Sequence, residues 1–188
     1  MTVTNRVYLN IMLILLLITT TLTVIVVLLS FAITSFQAEH SGAPFFPTPK
    51  SYITEALKII DLKRGETIYD LGAGTGRVLN IASREFGAKA IGFELSTLFY
   101  LISRINIFLS KTNAEIYRRD FYKADLSKAD VVFCFLVPRG LKRLEKKLEN
   151  ELRPGSRVVS YIFPFPSWQP TKIIKFTNSR KAFVYFRN

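Results

Sequence analysis

The chain opens on an apolar run with no repeating polar face, and from residue 50 onward it alternates between a helical and a strand period. No residue from 7 to 37 is charged, and residues 11–17 and 22–33 are almost wholly apolar apart from threonines. A helix of about 20 residues, at about 1.5 Å each, crosses the ~30 Å hydrocarbon core of a bilayer, so this run predicts one transmembrane helix. A cleaved signal peptide would need an apolar region of only ~7–15 residues ending at a small-x-small site. Ser35-Phe36-Gln37-Ala38 matches such a site poorly. Arg6 on one side and Lys50 on the other balance each other, so charge does not orient the helix. The expected organisation is an anchor over 1–37, a proline- and aromatic-rich linker or lid over 38–49, and one domain over 50–188. Pro44, Pro47 and Pro49 favour an extended path through the linker.

Helical spacing returns over 50–62, at Tyr52, Ile53, Ala56, Leu57, Ile59 and Ile60. Residues 66–71 then read as a strand that runs into glycines, followed by a helical face at Val78, Leu79, Ile81, Ala82 and Phe86. Strands are predicted over 89–95, 114–118, 129–135 and 156–163, and helices over 98–109 and 139–152. Strand and helix in alternation imply a parallel sheet with right-handed crossovers. Residues 172–176 and 182–186 flank Thr177-Asn178-Ser179-Arg180, which reads as a closing antiparallel hairpin.

Composition narrows the chemistry. The 188 residues carry 26 Lys and Arg against 14 Asp and Glu, a net charge of +12 that falls almost entirely after residue 37. Such a surface is drawn to anionic headgroups or to nucleic acid. Cys134 and His40 are each the only residue of their type, so no metal cluster, disulfide or Cys/His dyad is expected. A buried structural role suits Cys134 better than nucleophilic chemistry. The ~150 residues after the anchor suffice to bury about 70% of their surface in one core.

The glycines after the first strand form Asp70-Leu71-Gly72-Ala73-Gly74-Thr75-Gly76-Arg77. Glycines let the backbone approach a ligand closely, and the following helix N-terminus offers free N–H groups. The spacing is not the G-x-G-x-x-G of dinucleotide sites, and an acid at Asp70 would oppose a pyrophosphate but attract a cation. In open α/β sheets ligands bind beyond the carboxyl ends of the strands. Asp70–Gly76, Glu94 with Leu95, Asp120 with Phe121, and residues 135–138 all fall at that edge.

D-x-G-x-G-x-G resembles motif I of the class I, seven-β-strand methyltransferases, whose cofactor S-adenosylmethionine carries a sulfonium and an ammonium but no phosphate. That resemblance implies a Rossmann-like, mostly parallel seven-stranded sheet with an antiparallel C-terminal hairpin. It also implies S-adenosylhomocysteine as product. Asp70, Gly72, Ala73, Gly74, Gly76, Glu94, Leu95, Asp120 and Phe121 are the expected cofactor-binding residues, with Glu94 on the ribose hydroxyls and Asp120 on the adenine amine. Cys134-Phe135-Leu136-Val137-Pro138 departs from the Asn/Asp-Pro-Pro-aromatic stretch of base-amine methyltransferases, so a nucleic acid substrate is disfavoured.

A closer resemblance rests on Pro44-Phe45-Phe46-Pro47-Thr48, Gly92-Phe93-Glu94-Leu95, Asp120-Phe121-Tyr122, Val137-Pro138 and Phe163-Pro164-Phe165-Pro166-Ser167-Trp168. Together with the glycine motif, these resemble the lysine N-methyltransferases that modify the ATP synthase c-subunit and the adenine nucleotide translocase. The resemblance implies transfer to a protein lysine in a membrane-associated substrate. The apolar run makes this a single-pass protein, and a cofactor that is made and kept in the cytosol places the domain on the cytosolic side, or the matrix side of an organelle. Phe46, Thr48, Tyr122, Pro138, Phe165 and Trp168 are the expected substrate channel. No residue is singled out as catalytic, since attack by a neutral amine relies on positioning and on exclusion of water. Methylation of a lipid headgroup amine, or a non-catalytic basic membrane module, remains open at this point.

Overall fold

A computed structural model describes residues 3–41 and 47–187. The chain forms two compact units, residues 1–36 and 37–188. The first is the bulk of helix α1 (Val3–Ser41), which continues past the expected limit at residue 37. The most apolar 18 residues of its stretch Asn5–Ser30 have a mean hydropathy of 2.9, and the stretch is long and apolar enough to cross a membrane. The hydroxyls of Thr19, Thr20, Thr21, Thr23 and Ser30 each donate to a carbonyl three or four residues back. These polar groups are thereby satisfied within the helix, as an apolar medium would demand.

In the second unit, helix α2 (Lys50–Ile59) precedes strand β1 (Thr67–Leu71), helix α3 (Arg77–Phe86) and strand β2 (Lys89–Glu94). Helix α4 (Thr97–Ser110), β3 (Glu115–Arg118), β4 (Val131–Cys134), α5 (Pro138–Glu151), β5 (Arg157–Tyr161), β6 (Lys172–Lys175) and β7 (Lys181–Phe186) follow. The boundaries sit within a residue or two of those the periodicity predicts, apart from α2, which stops at Ile59. The sheet order is β3-β2-β1-β4-β5-β7-β6. Strands β1 to β5 pair in parallel, and β7 inserts antiparallel between β5 and β6.

The central strands are apolar on both sides because both faces are covered. Residues α2 Ile53 and Leu57, α3 Leu79 and Ala82, and α4 Ile107 close one face over Ile68, Val131 and Val159. The other face has a single helix, α5, whose Leu141, Leu144 and Leu148 pack on Val132 and Val158. Segments that contain no α-helix complete that face, with Phe121, Ala124 and Leu126 at one end and Phe165 at the other. At the amino edge Arg157 donates to the Ile60 and Asp61 carbonyls and pairs with Glu66 at 2.5 Å, which fixes the entry to β1.

Candidate active site

Each site segment begins where a parallel strand ends, and the register brings the ends together. Leu71 is opposite Phe93 on one side and Cys134 on the other, so Gly72 leaves the sheet between β2 and β4. The amides of Gly72 and Ala73 both donate to the Phe93 carbonyl, at 2.9 and 3.0 Å. Gly72, Gly74 and Gly76 all have positive φ, between 54° and 84°, a region that side-chain-bearing residues rarely adopt. Gly76 is also the N-cap of α3.

Glu94, at the end of β2, is the hub of the turn. One carboxylate oxygen accepts from Gly74 N and the other from Ser96 N, both at 2.8 Å. The turn and the start of α4 are thus held by one side chain, whose two oxygens can still accept a further donor. Arg119 N donates to the Glu94 carbonyl, which sets Asp120 beside it. Asp120 accepts from Tyr122 N at 2.9 Å through one oxygen. Phe121 is buried, and Leu95 is exposed at the rim.

Asp70 is the outlier of this edge. Its carboxyl is buried, and among the described residues none donates a hydrogen bond to it. Burial first, and the neighbouring Glu94 second, push its pKa up to about 8. Burial also raises Glu94, against the backbone N–H groups that favour its charged form. Two neighbouring acids withdrawn from water are unfavourable in their charged forms unless a cation joins them. A ligand carrying positive charge and ribose hydroxyls, with no phosphate, fits that donor set. Cys134 is fully buried and its thiol is pushed up to about 12 by burial, so it stays neutral and takes part in packing.

Further contacts support the turn, and of the residues that make them Ser103 and Asn106 are new. A Cβ on Gly76 would lie 2.3 Å from Ser103 Oγ, so α4 approaches the turn as closely as a glycine permits. A Cβ on Gly92 would meet Ala73 Cβ at 2.9 Å and Leu79 Cδ1 at 2.6 Å. Asn106 Nδ2 donates to the Thr75 carbonyl at 3.0 Å. Arg77 donates to the Thr48 carbonyl at 2.9 Å, which ties the buried Thr48 to the start of α3. A polar Asn106 in a largely apolar helix was the visible signal among these.

The expected channel residues separate. Phe45 and Phe46 lie outside the described residues. Thr48 is at the glycine turn, and Pro138 is the first residue of α5 at the same edge. The Tyr122 hydroxyl donates to the Gly140 carbonyl at 2.9 Å, and the Arg143 guanidinium covers its ring at 3.8 Å. It acts as a strut between the end of β3 and α5. Phe165 and Trp168 are not brought to the glycine turn. Phe165 is buried against Trp168 and Tyr185, and Trp168 Nε1 donates to Glu149 near the end of α5. Trp168 lines a surface pocket with Val158, Tyr185 and Arg187, toward the amino edge of β5. The strand that precedes them ends at the carboxyl edge, but the chain then folds back along α5.

Other aromatics occupy the carboxyl edge. The half-buried Phe135 follows β4 and meets Tyr161, the last residue of β5, edge to face at 5.2 Å. Tyr161 packs on Phe176, which stacks on Tyr52 of α2 at 4.2 Å.

The seven-stranded order with β7 reversed, the glycine turn and the two buried acids define an S-adenosylmethionine-dependent methyltransferase. Its cofactor is S-adenosylmethionine, and the residues present fit that group. The profile of the ANTKMT methyltransferase domain matches residues 70–172, and the chain belongs to that family. It is 36% identical over 135 residues to the "Protein-lysine N-methyltransferase" of Saccharolobus islandicus, covering 70% of this chain and 84% of that protein. It is 32% identical over 134 residues to the "Adenine nucleotide translocase lysine N-methyltransferase" of Mus musculus, covering 70% of this chain and only 58% of that protein. Among solved structures it resembles an RNA methyltransferase from Salinibacter ruber in complex with S-adenosyl-L-homocysteine. That likeness has a TM-score of 0.73 and 29% identity, and it covers 75% of this chain and 93% of that one.

Proposed function

We propose that this chain methylates the ε-amino group of a protein lysine while anchored in a membrane by α1, and that its substrate is a membrane-associated protein. The similarity to the archaeal lysine methyltransferase, of which the chain spans 84%, carries the choice of acceptor. Residues 1–37 are the anchor, 38–49 the linker and 50–188 the transferase, with the latter on the cytosolic or matrix side, where such a cofactor is made and kept.

When bound, S-adenosylmethionine supplies a methyl group on a positively charged sulfur. The chain's own residues bind, orient and dehydrate. Asp70, ionised on binding, offsets the ligand's positive charge, and Gly72, Ala73, Gly74 and Gly76 bring the backbone against it. Glu94 would accept from the ribose hydroxyls, and Asp120, with one oxygen taken by Tyr122 N, would accept from the adenine amine through the other, with Phe121 against the ring. Leu95 covers the rim.

The acceptor lysine must arrive without its ammonium proton, and an apolar lining favours the neutral amine. Thr48, Tyr52, Phe135 and Pro138 are the described residues we assign to that lining, with Phe46 as a further candidate. Product ammonium would be held against the aromatic ring of Phe135. No side chain need act as a base, because the barrier is lowered by holding the amine in line and excluding water.

A membrane helix also suits a lipid headgroup amine as acceptor. Incubation of membranes holding the full-length protein with radiolabelled S-adenosylmethionine separates the readings. Label that stays with protein and survives base treatment supports lysine methylation. Label extracted with lipid or recovered in RNA overturns it.

A further inference from the structure

Helix α4 presents two unlike faces. Ser103 and Ile107 are buried, and Asn106 reaches the glycine turn. On the other side Leu98, Leu101, Ile105, Phe108 and Leu109 are all exposed, from 40% at Leu98 to 81% at Phe108. At about 100° per residue these five fall within one sector of about 100°. Five large apolar side chains in one stripe mark an interaction surface, not chance exposure.

The rim of the stripe is basic. The helix contains no acidic residue. Arg104 borders the stripe, Lys111 follows the last turn, and both are exposed. Arg118 reaches the first turn, where it donates to Thr97 Oγ1 at 2.9 Å. On β3, Ile116 packs against the core cluster that holds Ile107, so Glu115, bonded to the Tyr117 hydroxyl, points to the opposite face of the sheet.

A helix of 14 residues is about 21 Å long, too short for the ~30 Å hydrocarbon core, and its inner face is committed to the domain. It can lie on a bilayer but not cross one. Anionic lipid suits an apolar stripe with an all-positive rim. The same chain carries a 26-residue stretch of membrane-spanning length within α1 and a net charge of +12. By contrast, the basic face of α5, with Lys142, Arg143 and Lys146, has no outward apolar stripe.

We infer that α4 is an in-plane membrane contact that lays the transferase domain on an anionic bilayer through Leu98, Leu101, Ile105, Phe108 and Leu109. Because α4 also braces Thr75 and Gly76, this contact sets the carboxyl edge at headgroup level. On the methyltransferase reading, the favoured acceptors are then lysines at the membrane surface.

The test uses the full-length protein reconstituted in phosphatidylcholine vesicles with and without phosphatidylglycerol and recovered by flotation. A polarity-sensitive fluorophore is attached at Phe108→Cys or, for comparison, at Asn150→Cys on α5, Cys134 being fully buried. Spin-labelled lipid should quench position 108 about fivefold more than position 150 in the anionic vesicles, with a blue shift at 108 alone. Arg104→Gln should weaken the preference for phosphatidylglycerol about fivefold. Equal, water-like signals at 108 and 150 would overturn the inference. So would shielding of 108 without lipid quenching, which would assign the stripe to a second copy or another protein.

Leu101→Gln with Ile105→Gln and Phe108→Gln should abolish quenching at a label on Leu98→Cys while leaving transfer to a soluble lysine peptide intact. A chain that transfers methyl groups without quenching fails only the contact. A chain that is quenched but transfers nothing to protein fails only the lysine reading.

Discussion

Asp70 is where a single side chain sets the behaviour of the whole site. Its pKa of about 8 means that the cofactor-free protein holds this carboxyl mostly protonated at neutral pH. A cationic ligand needs the ionised form, so binding should release a proton below about pH 8. S-adenosylmethionine affinity should therefore rise with pH up to about 8 and then level off. Calorimetry in buffers of different ionisation enthalpy would read the proton directly. Asp70→Asn should bind at least tenfold more weakly, with this pH dependence lost. The sign for folding is the reverse. An acid whose folded pKa exceeds its unfolded value near 3.8 keeps its proton better in the native state. Stability of the free protein should fall as pH rises from about 4 towards 8, and Asp70→Asn should remove that loss in a thermal melt.

The glycines offer a second test at this scale. Gly76 has a φ of 75° and has Ser103 Oγ where a Cβ would go. Gly76→Ala should cost about 1–3 kcal/mol and loosen cofactor binding, as read by melting and titration. Ser103→Gly should restore part of the loss, because it relieves the clash but not the backbone strain. The motif residues were legible because glycine spacing and a strand-ending acid carry chemistry in their order along the chain. Ser103 and Gly92 were not, since what matters about them is the gap they leave against a distant element.

Among elements, α4 does more than cross from β2 to β3. Through Asn106 it holds the Thr75 carbonyl, and through Ser96 it shares Glu94 with Gly74. Asn106→Leu should raise the KM for S-adenosylmethionine about fivefold with kcat nearly unchanged, since one hydrogen bond to the binding turn is lost. The helices and strands themselves were readable from periodicity, and so was the antiparallel ending. The aromatic segment 163–168 was harder. Its position after β5 suggested the carboxyl edge, yet Phe165 N donates to the Tyr185 hydroxyl, Ser167 N to Glu145 and Trp168 Nε1 to Glu149, which leads the segment down α5. Strand order alone cannot foresee a loop that folds back, and Phe135, Tyr161, Phe176 and Tyr52 stand at that edge instead. The outward face of α4 was equally hidden, because a helix apolar nearly all round does not declare which stripe is buried.

At the scale of the molecule, a transferase unit follows a long apolar helix, and the sheet of that unit is covered on one face by three helices and on the other by one. On the second face α5 is joined by two segments that contain no α-helix. The anchor proposal has a direct check. Leu16→Arg with Val24→Arg places two charges near the middle of α1, each costing about 3 kcal/mol in a bilayer. The carbonate-resistant membrane fraction should drop sharply, while S-adenosylmethionine binding by the domain persists.

The most direct test of lysine methylation at the carboxyl edge is mass spectrometry of membranes incubated with the full-length protein and S-adenosylmethionine, beside Asp70→Asn. Methyl-lysine should appear in one or a few membrane-associated proteins with the wild-type chain and be absent with the variant. Cofactor binding without any new methyl-lysine, or methyl-lysine formed equally by Asp70→Asn, would contradict it.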